Sequence, residues 1–206
     1  MNIAVFSSHN GSDLQAIIDG CKSNKINANV SLVISNNKDS MALKRAKHEN
    51  IPYVHISNSL FENEDELEEK TLETLKAYNI DIIFLAGYMK LLPKSILDSY
   101  KNRVFNIHPS LLPKYGGKGM FGINVHKAVI DNKEKETGIT IHIVNSKYDE
   151  GKIIAQTKVN VLKNDTAESL AARVLDHEHT FLVEVISDII SKELILDKNK
   201  ILKKEK

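Results

Sequence analysis

The sequence has one cysteine, almost no net charge and no long apolar run, and each of these absences excludes a class of protein. Cys21 cannot form a disulfide within the chain, which favours a reducing compartment. The 28 Lys and Arg residues nearly balance the 27 Asp and Glu residues, so no strong field attracts nucleic acid or an anionic membrane. No segment approaches the roughly 18 apolar residues that span a bilayer, and the N-terminus lacks a signal peptide's basic segment. We therefore expect a cytoplasmic protein with neither a nucleic-acid nor a membrane partner.

Several catalytic motifs are also missing. Without H-E-x-x-H or paired C-x-x-C, and with His177 and His179 facing different sides of a helix, the sequence predicts no metal site. There is no G-x-S-x-G nucleophile elbow, so neither Ser110 nor Cys21 has the surroundings of a nucleophile. The turn after the first strand lacks the full G-x-G-x-x-G pattern, which disfavours a dinucleotide.

Short apolar runs alternate with helical patterns along the first 110 residues, as at 2–7, 30–36 and 80–87. This alternation predicts a parallel sheet built from right-handed βαβ units, and two later strands can pair antiparallel. We predict one α/β domain over residues 1–195, with a Rossmann-like, mostly parallel twisted sheet flanked by helices. The basic segment 196–206 is predicted to be a loosely held tail.

Asp165 and Glu168 have the spacing of a capping box. They precede apolar residues at helical intervals, from Leu170 to Ile189. The pattern predicts a long amphipathic helix that begins at this box.

The stretch "FNIHPSLLPKYGGKG" places an amide and an imidazole where a strand ends. Asn106 and His108 lie two residues apart in an extended run, so their side chains should share one face. At the carboxyl end of a parallel strand that face looks into the ligand crevice, where both groups could hold an oxygen that gains negative charge. Pro109 and Pro113 would stiffen the exit. The alternative is a structural histidine in an ordinary loop.

Two other positions have both a functional and an ordinary interpretation. In "SSHNGSDLQ", Gly11 and Ser12 precede a helix, where free N–H groups attract phosphate, but the stretch also fits a plain turn with Ser12 or Asp13 as the helix cap. Asp149 could hold a positive charge on His108 and raise the pKa of that imidazole above about 6.5. A lone Asp in a loop is more often a turn residue.

The chain resembles the phosphoribosylglycinamide formyltransferases, a branch of the folate-dependent formyltransferases, over essentially its full length. The matching stretches are "NGSDLQAIIDGCK", "DIIFLAGYMKLL", "FNIHPSLLPKYGGKGM", "ETGITIHIV", "DEGKIIAQ" and "ARVLDHEH". The N-x-H-P-S-L-L-P match is specific to folate formyltransferases, and the G-S-(N or D)-L-Q turn narrows the resemblance to this branch.

The resemblance implies a set of site residues. Asn106, His108 and Asp149 match the catalytic residues. On the ribonucleotide side, Gly11, Ser12 and Asp13 match the phosphate loop and Glu178 matches a ribonucleotide contact, with 175–177 lining that side. On the folate side, the matching residues are Met89, Lys90, Leu91 and Leu92, together with Asn106.

The resemblance also implies the substrates and one point of difference. It implies a co-substrate, 10-formyltetrahydrofolate, a small acceptor, glycinamide ribonucleotide, no metal, and a monomer or homodimer. The family more often has Asn at position 13, so we expect the Asp13 side chain to turn away from the phosphate or to cap the helix. Lys90 keeps a charge that relatives often carry as Arg, whereas "FENEDELEE" lacks a basic residue for the folate tail. The rival functions are a methionyl-tRNA formyltransferase and a non-catalytic nucleotide-binding module.

Overall fold

Seven strands form the central sheet in the computed structural model, which describes residues 1–191, 194–197 and 200–203. The first five strands run parallel in the order β3-β2-β1-β4-β5, and β6 and β7 continue the sheet antiparallel. The Rossmann-like, mostly parallel sheet predicted from the sequence is therefore confirmed. The strands are β1 (Asn2–Phe6), β2 (Asn29–Ser35), β3 (Tyr53–His55), β4 (Ile82–Leu85), β5 (Val104–His108), β6 (Glu136–Ile143) and β7 (Ile153–Asn160).

Helices cover both faces of the sheet. Successive side chains of β1 point to opposite faces, so they pack in two separate cores. Ile3 and Val5 pack in one core with α1, α2, α5 and α6, whereas Ala4 and Phe6 pack in a second core with α3 and α4. The helices are α1 (Ser12–Lys22), α2 (Met41–His48), α3 (Glu64–Ala77), α4 (Lys94–Ser99), α5 (Ile123–Asp131) and α6 (Ala167–Ile190).

The strand order reverses at β1, whose neighbours are β2 on one side and β4 on the other. The connections after β1 and β4 therefore lead to opposite halves of the sheet, which opens a crevice at their carboxyl ends. Such a switch point is where open α/β sheets bind ligands. The fold brings the ends of β1, β4 and β5 to this crevice.

The start of α6 differs from the sequence prediction. Its capping box consists of Thr166 and Ser169, each of whose side-chain oxygens accepts a hydrogen bond from the backbone N–H of the other, so the predicted box of Asp165 and Glu168 is wrong. Asp165 instead pairs with Arg173, which lies further along the helix. A Thr hydroxyl and a Ser hydroxyl serve the box as well as the acidic residues that the pattern favours.

The C-terminal segment contains a feature that the sequence analysis did not predict. Strands β8 (Leu194–Asp197) and β9 (Lys200–Lys203) pair antiparallel in a separate two-stranded sheet. The domain boundary at residue 195 and the loosely held tail stay predictions, and residues 198, 199 and 204–206 of that tail lie outside the described residues. Within the described part of the chain, no helix is both long and apolar enough to cross a bilayer.

Gly151 is required by the close approach of the chain between β6 and β7. A Cβ at this position would lie 1.6 Å from the carbonyl oxygen of Ile143 and 2.8 Å from its carbonyl carbon. Both are backbone atoms, held by the hydrogen bond from the Ile143 N–H to the Lys152 carbonyl, so they cannot turn away.

We predict that Gly151→Ala lowers the free energy of unfolding by about 3 kcal/mol, since the extra methyl group must displace backbone. Urea denaturation followed by circular dichroism measures the change. Lys152→Ala, which truncates an exposed side chain at the next position, is the matched control and should stay within about 0.5 kcal/mol of the wild type. Equal stability of Gly151→Ala and the control would contradict the close approach.

His126 is buried on α5, and its Nδ1 has no hydrogen-bond partner among the described residues. Burial, assisted by the charge of His108, lowers the pKa of His126 from 6.5 to about 4. Between these two pKa values the unfolded chain binds more protons than the folded one. The stability from neutral His126 is therefore complete above pH 6.5 and is lost as the pH falls toward 4.

We predict that the free energy of unfolding falls as the pH decreases from 7 to 4, with about 3 kcal/mol of the total loss due to His126. His126→Gln cannot titrate, so its stability should depend less on pH over this range. Urea denaturation at several pH values tests this. His48→Gln, at a side chain that is 86% exposed, is the control and should retain the wild-type slope. A His126→Gln slope as steep as that of the wild type would refute the assignment.

Candidate functional site

A cavity of about 480 Å³ lies at the crevice formed by the ends of β4 and β5. Residues 87–89, which follow β4, and residues 106–109, at the end of β5, line it. The glycine-rich segment 117–122 and the loop that carries Asp149 also line it, together with Asp13 from α1 and Glu178 from α6. Thus the cavity collects polar side chains from separate parts of the chain.

Asn106 lies within hydrogen-bond distance of two groups from neighbouring elements. Its Nδ2 lies 3.1 Å from Nε2 of His142 on β6 and 3.3 Å from Oδ1 of Asp149. Nδ1 of His142 lies 2.9 Å from the Ile143 carbonyl oxygen, which can only accept, so Nδ1 carries a hydrogen. In neutral His142 the Nε2 lone pair then accepts from the Asn106 amide. His142 and Asp149 together fix the orientation of that amide.

His108 is buried, and both of its ring nitrogens face polar groups. Nε2 donates to the Tyr115 carbonyl oxygen at 2.8 Å, and Nδ1 lies 3.6 Å from Oδ2 of Asp149. Burial lowers the pKa of His108 below its ordinary value, although Asp149 and the Tyr115 carbonyl partly offset this effect. The expectation that Asp149 raises this pKa above 6.5 is therefore wrong in direction, because desolvation outweighs the nearby carboxylate.

The Asp149 carboxylate accepts hydrogen bonds from two parts of the chain. Its Oδ2 accepts from the Gly117 N–H at 2.9 Å, and its Oδ1 accepts from Asn106. Burial alone would raise the pKa of Asp149, but His142, His108 and the Gly117 N–H outweigh it and hold that pKa below its ordinary value. Asp149 is thus an anion in contact with two imidazoles, and the interpretation as a plain turn residue fails even though its φ is 56°.

The start of α1 has the geometry of a free helix N-terminus. Gly11 has a left-handed conformation with φ 68°, and a Cβ there would lie 2.9 Å from the Ala42 Cα, so only glycine fits. No side chain of the described residues caps the helix, which excludes Ser12 or Asp13 as its cap. Gly11 and Ser12 do not line the cavity, whereas Asp13 does. The first-turn N–H groups remain available to an anion.

Asp13 and Glu178 form an acidic wall at this end of the cavity. Glu178 is only 6% exposed, and burial followed by the charge of Asp13 raises its pKa well above the ordinary value. Burial also raises the pKa of Asp13, and His179 partly offsets this. Of the predicted ribonucleotide side, 175–177 do not line the cavity, and Asp176 and His177 are exposed.

The segment after β4 divides between two cavities. Met89 lines the main cavity, and its N–H donates to the Ser8 hydroxyl at 2.8 Å. Lys90, Leu91 and Leu92 instead line a second cavity of about 440 Å³, whose walls include Phe6 and Ile34. The acidic start of α3 lies at the same cavity, where Glu64 and Glu68 also line it.

Three contributors to the site, His142, Tyr115 and Gly117, were not predicted from the sequence. His142 lies in the stretch "ETGITIHIV", but its role depends on β6 placing it opposite Asn106 in the antiparallel register. Tyr115 and Gly117 contribute backbone groups, a carbonyl and an N–H, which no side-chain pattern reveals. The spacing of Thr140 and His142 on one strand face was the one signal that could have found His142.

The arrangement suits acyl transfer that needs hydrogen-bond donors and a proton acceptor. Among the described residues, no group of three or more His, Cys, Asp or Glu side chains is placed to hold a metal ion. None of the described residues that line the cavity is a serine, a threonine or a cysteine. A covalent intermediate on a hydroxyl or a thiol of the cavity is therefore not available, and an amine supplied by a substrate can act as the nucleophile.

Comparisons with known proteins identify the family of the chain. The family model described as "Formyl transferase" matches residues 1–186. Phosphoribosylglycinamide formyltransferase of Escherichia coli K12 is 38% identical over 187 residues, which cover 91% of this chain and 86% of the relative. The crystal structure of glycinamide ribonucleotide transformylase 1 from Symbiobacterium toebii superposes with a TM-score of 0.89 at 34% identity, over 98% of this chain and 92% of that one.

A chloroplastic phosphoribosylglycinamide formyltransferase of Arabidopsis thaliana is 42% identical over 193 residues, which cover 93% of this chain. The chain spans 66% and 63% of the lengths of two such plant relatives. The bacterial relative and the solved structure, by contrast, are matched over most of their length. The chain therefore belongs to the formyl transferase family, within its phosphoribosylglycinamide formyltransferase branch.

Proposed function

We propose that the protein transfers a formyl group from 10-formyltetrahydrofolate to the primary amine of glycinamide ribonucleotide, a step of purine biosynthesis. The observation that carries this proposal is the contact of Asn106, His108 and Asp149 at one cavity between two candidate substrate regions. The names of the relatives, which match most of this chain, support the choice of acceptor.

The ribonucleotide would bind at the end of the cavity that α1 and α6 form. The uncapped first turn of α1 offers backbone N–H groups to the phosphate, with the helix dipole favouring the anion. Burial raises the pKa of Glu178 well above its ordinary value, which favours a protonated carboxyl that would donate to a ribose hydroxyl. A ligand bound in this way would have its amine in the cavity that Asn106 and His108 also line.

The formyl donor would bind along residues 89–92. Met89 reaches the main cavity, and the second cavity, which Leu91 and Leu92 line together with Phe6 and Ile34, would hold a flat ring. Lys90 makes no ion pair among the described residues, so its ammonium group is available to a carboxylate of the folate tail. The residues at the start of α3 are acidic, so they offer no second positive charge to that tail in the same cavity.

The amine would attack the formyl carbon directly, and negative charge would develop on the formyl oxygen. The Asn106 amide and the His108 ring would donate hydrogen bonds to that oxygen. For this, the oxygen would have to replace one present hydrogen-bond partner of each group. Because burial keeps His108 neutral in the resting protein, the imidazole can accept the proton that the attacking amine releases. Asp149, at 3.6 Å, would stabilise the resulting imidazolium until the proton passes to the leaving nitrogen.

A formyl-transfer assay tests the proposed acceptor. Purified protein is incubated with the folate donor and glycinamide ribonucleotide, with initiator methionyl-tRNA, or with no acceptor, and both donor loss and formylated product are measured. We expect formylated ribonucleotide only. Formyl transfer to the tRNA, or donor loss without an acceptor, would overturn the assignment, and so would binding of the ribonucleotide with no turnover at all.

We predict that His108→Ala lowers kcat at least 10²- to 10³-fold, roughly the usual effect of losing one oxyanion donor, because the proton acceptor is lost as well. The Kd of the ribonucleotide should change less than about threefold, since the proposed phosphate and ribose contacts come from α1 and α6 and not from His108. Steady-state kinetics and isothermal titration calorimetry measure the two quantities. His55→Ala, outside this cavity, is the control, and a His108→Ala variant with control-level kcat would exclude the proposed role.

A cytoplasmic location, the lack of a nucleic-acid partner and the state of monomer or homodimer stay predictions from the sequence.

A further inference from the structure

Asp13 places a carboxylate at the point where the proposed function requires an anion to bind. It is the second residue of α1, its side chain is 13% exposed, and its Oδ1 is buried without a hydrogen-bond partner among the described residues. A negative charge in the first turn of a helix stabilises the helix itself. The same charge repels a phosphate dianion that approaches the same N–H groups.

His179 is the cationic partner of this carboxylate. Its Nε2 lies 3.5 Å from Asp13 Oδ1, and the pair joins the start of α1 to the middle of α6. That distance is too long for a strong hydrogen bond but suits two opposite charges. Nε2 of His179 also has no other partner among the described residues, so its interaction is with Asp13 alone.

Glu178 does not offset the negative charge of Asp13. It faces the same cavity from α6, but its carboxyl is buried beside Asp13 and two adjacent carboxylates cannot both ionise at low cost. The cluster at the ribonucleotide end therefore contains an acid whose protonated form is favoured by burial, and a carboxylate paired with His179. A proton on His179 would offset the Asp13 charge that an approaching phosphate meets.

We propose that His179 is a positioning residue for ribonucleotide binding: it pairs with the Asp13 carboxylate, holds it toward α6 and cancels its charge, so that the first turn of α1 can accept a phosphate. This inference rests on the proposed function and adds a specificity determinant to it. It makes positions 13 and 179 a matched pair, in which each residue is tolerated because of the other.

A double-mutant cycle tests the pair. We expect His179→Ala to raise the KM and Kd of the ribonucleotide about tenfold, because the Asp13 charge is then uncompensated, while kcat stays within about twofold. Asp13→Asn should bind the ribonucleotide at least as tightly as the wild type. In the Asp13→Asn background, His179→Ala should cost less than about twofold, since no charge remains to be cancelled.

His179→Gln distinguishes charge from packing, because glutamine is a polar side chain of similar length that cannot become positively charged. We expect it to behave as His179→Ala does. Thr180→Ala, the next and exposed position of α6, is the control and should leave KM unchanged. Thermal unfolding of every variant shows whether the fold is intact. His179 is 37% exposed, so we expect no loss of folding.

Three outcomes would overturn the inference: a His179→Ala KM equal to that of Thr180→Ala, equal losses in the wild-type and Asp13→Asn backgrounds, or a fall in kcat without a change in KM. Failure of the proposed function is recognised separately. In that case the wild-type protein does not formylate the ribonucleotide, whereas failure of the pair alone leaves a fully active wild type.

Discussion

The site depends on one half-buried anion, the Asp149 carboxylate. It binds the Asn106 amide and the Gly117 N–H and lies within 3.6 Å of both His108 and His142. Through these contacts one side chain connects β5, β6 and the glycine-rich segment. The carboxylate is stable there because the surrounding hydrogen bonds and imidazoles outweigh the cost of its burial, and the lowered pKa of Asp149 reflects that balance.

Desolvation decides the protonation states of His108 and Glu178 more strongly than the nearest charge does. His108 has a lowered pKa even though it faces a carboxylate, and Glu178 has a raised one. The result is a base with a lowered pKa beside an anion at the reaction end, and an acid with a raised pKa beside the Asp13–His179 pair at the phosphate end. Because their surroundings shift the two pKa values in opposite directions, His108 is suited to accept a proton and Glu178 is suited to donate a hydrogen bond to a ligand.

The fold was largely predictable because its signals are local. Buried parallel strands give apolar runs, and the helices between them give apolar residues at helical spacing, so the alternation that builds β1 to β5 is visible in the sequence. The predicted capping box of α6 was wrong because several residue types satisfy the same geometry, and only the backbone shows which hydroxyl lies within reach. The hairpin of β8 and β9 was not predicted, since a short basic segment carries no comparable signal.

The sequence by itself determined the α/β class, the family resemblance and the strand end that carries Asn106 and His108, because residue type and spacing along one strand settle these properties. Only the tertiary structure decided that His142 orients Asn106, that Tyr115 and Gly117 contribute backbone groups, and that His179 meets Asp13. It also decided that His108 is neutral. The physical reason is that contacts between distant segments, and the burial that shifts a pKa, exist only once the chain has packed and excluded water.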